Sequence, residues 1–149
     1  MPDLTLERDF DLSPARLFAF ITSPEGLLQW WGPEGMTLPE SALDFTRTGP
    51  WFSVMQGAEG QRHHVSGHVT HVDPPHSVGL TWAWHDPAGA RGPESHVTLT
   101  VKPAGKGARL VLEHRELATA EAATRHGEGW TSTLNKLARV LGENALRDA

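Results

Sequence analysis

The feature that most constrains this chain is a double change in the period of its apolar residues. After one short alternating run they fall at helical spacing up to Trp31. From Glu40 to Arg115 they alternate in runs broken by turn residues, and from about Ala118 they return to helical spacing. Such a pattern groups the strands together and leaves a final helix to lie across them, which is an α+β organisation.

The elements can be placed one by one. Leu4, Leu6 and Phe10 alternate with Thr5, Glu7 and Asp9, predicting a first strand with one buried face. Ser13-Pro14 opens a helix that runs to Thr22, with Leu17, Phe18, Phe20 and Ile21 on its apolar side. A second, short helix spans 24–31, with Ser23 as N-cap, Pro24 at the first helical position and Gly32-Pro33 as the stop. Strands are predicted at 40–47, 50–56, 62–72, 77–85, 95–102 and 108–115, separated by Gly-, Pro- and Asp-bearing turns, which reads as an antiparallel meander. Val78, Leu80, Trp82 and Trp84 share one face, and Leu110 and Leu112 continue on one face to His114. The last helix spans about 118–146. Gly127 and Gly129 weaken its middle, and Trp130, Leu134, Leu137 and Leu141 form a stripe suited to a sheet. A curved sheet wrapped around that helix leaves interior space, because its strand faces and the helix stripe cannot meet across the full width.

Within 149 residues there is no linker-like segment, so residues 1–149 are expected to form a single domain. The chain lacks cysteine, which removes disulfides, thiolate metal sites and a cysteine nucleophile. No apolar run approaches the roughly 20 residues of a membrane span, and the N-terminus carries no secretion-like pattern, so no membrane span and a cytoplasmic location are expected. Its formal net charge is -5 with singly scattered basic residues, a poor match for nucleic acid.

Two adjacent tryptophans, Trp30 and Trp31, precede the Gly32-Pro33 stop. Neighbours on a helix project about 100° apart, so one ring can face a core while the other sits at a rim. Two readings stand: packing at a helix end, or a gate over a cavity.

This order of elements, with Trp30-Trp31-Gly32-Pro33, resembles the helix-grip fold of the START-like (SRPBCC) superfamily, and most of all the bacterial activator of heat-shock protein 90 ATPase homologue family. The resemblance also rests on Ser13-Pro14-Ala15-Arg16-Leu17-Phe18, Gly67, Asp73-Pro74-Pro75 leading to Leu80-Thr81-Trp82, Ser95-His96-Val97-Thr98, and Gly129-Trp130 followed by Leu134 and Leu137. It implies a β-α-α-β6-α arrangement over roughly residues 3 to 141. The chain departs from the pattern before its third strand: relatives usually carry Arg and a Gly-Gly pair, where this chain reads Thr46-Arg47-Thr48-Gly49-Pro50-Trp51. The eukaryotic co-chaperone adds a separate chaperone-binding domain, for which 149 residues leave no room. The resemblance therefore implies a chaperone partner only weakly.

Nine histidines raise the question of a metal. Strict alternation would place His64 and His68 on one face of their strand and His63 and His71 on the other, too few on either side for the three or four ligands of a typical site, so no metal or cofactor is expected. His114 continues the inward Leu110, Leu112 face, where an imidazole either satisfies itself against neighbours or anchors a ligand. Asp44 and Arg8 fall beside apolar stretches, where structural ion pairs are expected. The chain has no Gly-x-Ser-x-Gly, phosphate-cradling Gly-rich loop or His-Glu-x-x-His, and no carboxylate pair is forced into one pocket.

These readings converge on a small-molecule binding protein that encloses an apolar or aromatic ligand between sheet and last helix. The expected contacts are Trp31, Trp51, Met55, Trp82, Trp84, Trp130 and Leu134 for area, with His114 for orientation. Two alternatives stand beside it: a cyclase- or hydrolase-type enzyme using the same cavity, and a co-chaperone-like interaction module using an exposed face.

Overall fold

A computed structural model describes residues 3–148, with side chains described to residue 142. The chain runs through β1 (Leu4–Phe10), α1 (Pro14–Thr22), α2 (Pro24–Trp30), β2 (Thr37–Ala42), β3 (Gly49–Gln56), β4 (Arg62–Asp73), β5 (Ser77–Trp84), β6 (Ser95–Ala104), β7 (Gly107–Arg115) and α3 (Ala120–Asp148). The strands form one curved antiparallel sheet in the order β1-β7-β6-β5-β4-β3-β2, with α3 packed on it beside β1 and α2. This is the helix-grip arrangement, and the meander follows from hairpin connections between sequence neighbours.

Local chemistry sets the helix pair. Ser13 Oγ accepts from Arg16 N at 3.2 Å, and Pro14 follows where a missing N–H costs nothing. Ser23 ends α1 and starts α2, its Oγ accepting from Gly26 N at 3.1 Å. Gly26 has to be small, since a Cβ there would fall 1.8 Å from the Phe20 carbonyl oxygen. The helix ends one residue earlier than the spacing predicts: Trp31 is its C-cap, with extended backbone at φ -68° and ψ 137°.

Two further expectations are corrected. The strand predicted at 40–47 lies at Thr37–Ala42. Leu43 and Phe45 do alternate inward, but the chain has left the sheet there, and Phe45 N donates to Thr22 O at the end of α1. The Phe45 ring is buried against Trp31 and Trp51, and burial in a loop produces the same alternation as burial on a sheet. The second correction concerns His71. A register shift between Val69 and His71 puts both Val69 and Val72 against the core, so His71 no longer shares a face with His63. Its ring bonds Ser77 Oγ on the neighbouring strand instead.

The core gathers Leu17, Ile21 and Leu27 from the helix pair, Leu80, Leu99, Leu110 and Leu112 from the sheet, and Leu134 and Leu137 from α3. Trp51 stands opposite Gly67 and donates its ring N–H to the Thr81 carbonyl on β5 at 3.1 Å. Any side chain on Gly67 would collide with that carbonyl, its Cβ only 1.9 Å away. The expected ion pairs divide: Asp44 pairs with Arg47 at 3.3 Å, whereas Arg8 donates to Asn135 Oδ1 on α3 at 2.8 Å. Among the described residues no helix is long and apolar enough to cross a membrane.

Candidate functional site

The α3 helix changes character along its length, and this change opens a space. Leu134 and Leu137 fill the region under its C-terminal half, whereas the face of its N-terminal half carries Ala122, His126, Gly129 and Thr133. These small or polar residues do not reach the sheet, and a cavity of about 460 Å³ remains between them and Met55, Trp82 and Trp84. Trp31, Gly32, Pro33 and Met36 wall it on the α2–β2 side, and His63, Trp130 and Arg125 complete the lining. Gly129 contributes most directly, because a Cβ there would meet no heavy atom within 4 Å. A mid-helix glycine costs about 1 kcal/mol relative to alanine, so this position exchanges helix stability for open volume.

The wall is held by ring contacts. Trp31 meets Trp30, Phe45, Trp51, Trp82 and Trp130 at centroid separations of 5.6, 5.4, 5.6, 5.8 and 5.7 Å. Trp82 in turn meets Trp84 at 5.4 Å and Trp130 at 5.2 Å. All of these are edge-on or tilted, the arrangement favoured by ring quadrupoles. The Trp31 ring N–H donates to Ser53 Oγ at 3.0 Å, and the loop after it is strapped to α3: Lys136 Nζ donates to Trp31 O, Glu34 N to Ser132 Oγ, and Glu34 pairs with Arg139. Burial pulls the Lys136 ammonium below its ordinary pKa.

His126 in the wall and His114 behind it have their tautomers fixed by their partners. Trp130 Nε1 donates to His114 Nδ1 at 3.0 Å, so His114 carries its proton on Nε2 and donates to Ser95 Oγ at 2.7 Å. Trp84 Nε1 donates to His126 Nε2 at 2.9 Å, and His126 Nδ1 donates to Ala122 O at 2.8 Å. Both rings are neutral in this arrangement, and they pack 4.7 Å apart. Burial, reinforced by the neighbouring His126 and His96, pushes His114 down to about 3; burial likewise lowers His126.

A pH dependence follows. In the unfolded chain His114 protonates near its ordinary value of 6.5, whereas in the fold it does so near 3, so its stabilising contribution is complete above 6.5 and is lost as pH falls toward 3. From pH 7.5 to 4.5 this group alone is expected to remove about 2–3 kcal/mol of unfolding free energy. His126 acts with the same sign, whereas the lowered carboxylates Asp9 and Asp44 act only as pH approaches and passes below 3.8. Urea unfolding across this range should show the loss and a shallower profile in His114→Gln; a wild-type profile flat down to pH 4.5 would contradict it.

The comparisons decide the family. Residues 11–142 match the model of the family described as activator of Hsp90 ATPase homolog 1-like protein. The chain belongs to this family. Within it, the crystal structure of the AHSA1 protein from Silicibacter pomeroyi is similar at 57% identity and a TM-score of 0.93, over 96% of this chain and 99% of that one. Ms6760 of Mycobacterium smegmatis is 24% identical with a TM-score of 0.77, over 93% and 90% of the two chains. CV1439 of Chromobacterium violaceum is 23% identical with a TM-score of 0.81, over 93% and 96%. The last two show the fold alone. A search among curated proteins gave no match. The family lies in the START-like (SRPBCC) superfamily, as the residue pattern implied.

In this AHSA1-like chain the eight residues singled out from sequence separate into two groups. Trp31, Met55, Trp82, Trp84 and Trp130 line the cavity together. Trp51, His114 and Leu134 do not: Trp51 and His114 support lining rings from behind, and Leu134 is buried in the core below. The pair Trp30-Trp31 is buried on both sides, so it packs, and Trp31 also presents its ring to the cavity. Gly129, His126, Arg125 and Met36 were not singled out. The small residues Ala122, Gly129 and Thr133 recur at helical spacing on α3, the one sequence signal that could have marked the opening. Among the described residues, no group of three or more His, Asp or Glu is placed to hold a metal. His64 instead stacks on His85 at 3.8 Å on the strand face away from the cavity.

Proposed function

We propose that this protein binds an apolar, ring-bearing small molecule in the cavity between β5 and the N-terminal half of α3. The observation that carries the reading is the tryptophan-lined space itself: four of the chain's six tryptophans face a volume that Gly129 leaves open. Cavities of a few hundred Å³ with apolar walls and few polar groups suit drug-sized ligands. An aromatic guest would find ring edges on Trp31, Trp82 and Trp130, each contact adding about 0.5–1.5 kcal/mol beyond area burial.

Catalysis has less support. The lining holds no carboxylate, and both ring nitrogens of His126 are engaged by Trp84 and Ala122, so no free acid-base pair faces the space. A chaperone-binding role would need an exposed apolar face, and among the described residues Leu28 is the one large apolar side chain that stands exposed, at 57%.

Calorimetric titration with naphthalene-sized aromatics tests the reading. Saturable one-to-one binding with a negative heat-capacity change is expected. Absence of saturable heat across a diverse apolar set would refute it.

A further inference from the structure

We infer that the ligand is an organic anion, a ring-bearing carboxylate whose apolar part enters the tryptophan cavity while its charge pairs with Arg125 at the mouth. The inference rests on the proposed binding role and names the ligand's chemistry. The chain as a whole is acidic, with 18 carboxylate side chains against 13 basic ones, yet the cavity lining contains Arg125, His63 and His126 and no Asp or Glu. His126 is neutral, so the permanent charge of the lining is that of Arg125, opposite in sign to the chain's net charge, an asymmetry that favours an anionic guest at this opening.

The interior offers a polar group at most one unengaged ring N–H, that of Trp82, whose Nε1 is buried without a partner. Trp31, Trp84 and Trp130 direct their ring N–H groups to Ser53, His126 and His114, and Thr133 Oγ1 donates to Gly129 O. A charged group buried there would exchange its whole hydration shell for that single N–H, far too little for an ion. Arg125 is placed differently: it stands one helical turn before Gly129, and its ion-pair partner Glu121 is 4.0 Å away, with side-chain exposures of 73% and 81%. An exposed pair at that separation contributes little, so a ligand carboxylate meeting the guanidinium in two-point fashion replaces it readily. His63 lies at the same opening, its ring 6.4 Å from that of Trp84.

The test compares 2-naphthylacetate with the neutral 2-naphthylacetamide by calorimetry at pH 7.5 and low salt. A largely exposed ion pair predicts that the acid binds about two- to fivefold more tightly. The preference should shrink toward one in Arg125→Gln and at high salt, and persist in Arg109→Gln, whose guanidinium pairs with Asp9. Equal affinities in the wild type, or a preference that survives Arg125→Gln, would overturn the assignment and leave the cavity reading in place. Failure of both compounds to bind would remove both.

Discussion

Trp31→Ala is expected to lower the unfolding free energy by about 3–5 kcal/mol, the cost of truncating a large buried aromatic. Trp31 is 1% exposed and touches five other aromatic rings, so its loss leaves Trp51, Trp82 and Trp130 without a shared edge. It would also strand Ser53, whose hydroxyl is fully buried and accepts the Trp31 N–H. An unpaired buried hydroxyl adds to the penalty. Since small domains are stable by only about 5–15 kcal/mol, much of the native margin would disappear. Urea denaturation followed by near-ultraviolet circular dichroism reads this directly. A loss below about 1 kcal/mol would show that the ring network is not what holds the wall.

Gly129→Phe is expected to do the reverse to stability while abolishing binding. The new Cβ meets no heavy atom within 4 Å, so the ring enters the cavity rather than displacing a neighbour. Removing a mid-helix glycine contributes up to about 1 kcal/mol, and burying a phenylalanine side chain against apolar walls about 1.5–3 kcal/mol more. A higher Tm together with lost aromatic binding separates occupation of the cavity from damage to the fold. A raised Tm with full retention of binding would place the ligand elsewhere. A lowered Tm would mean that the space is not available to a side chain.

The α+β order and the strand pairing were legible because each depends on period and turn chemistry, which are local properties. The failures have physical causes of their own. Leu43 and Phe45 continue the alternation of β2 but are buried outside the sheet, where the Phe45 ring meets Trp31 and Trp51, and alternation does not reveal what lies on the buried side. His71 changed faces because of a bulge, a single-residue event that no residue type at that point announces. At the site, large aromatics were legible and empty space was not. Gly129 read as a weakness in α3, since a missing side chain carries meaning only when the opposing wall is known. Arg125 and His126 carry no sequence signal of their own, since only the placement of α3 against β5 brings them to the cavity. His114 was read in two ways, and its ring nitrogens are both taken by Ser95 and Trp130.

The central claim is that the space between β5 and α3 is open and accepts an aromatic guest. Soaking crystals with 2-bromonaphthalene and measuring anomalous scattering at the bromine edge tests it most directly. One strong peak is expected inside the lining formed by Trp31, Trp82, Trp84, Gly129 and Trp130. Crystals that show no peak there, with the four tryptophan rings packed together across the space, would contradict it.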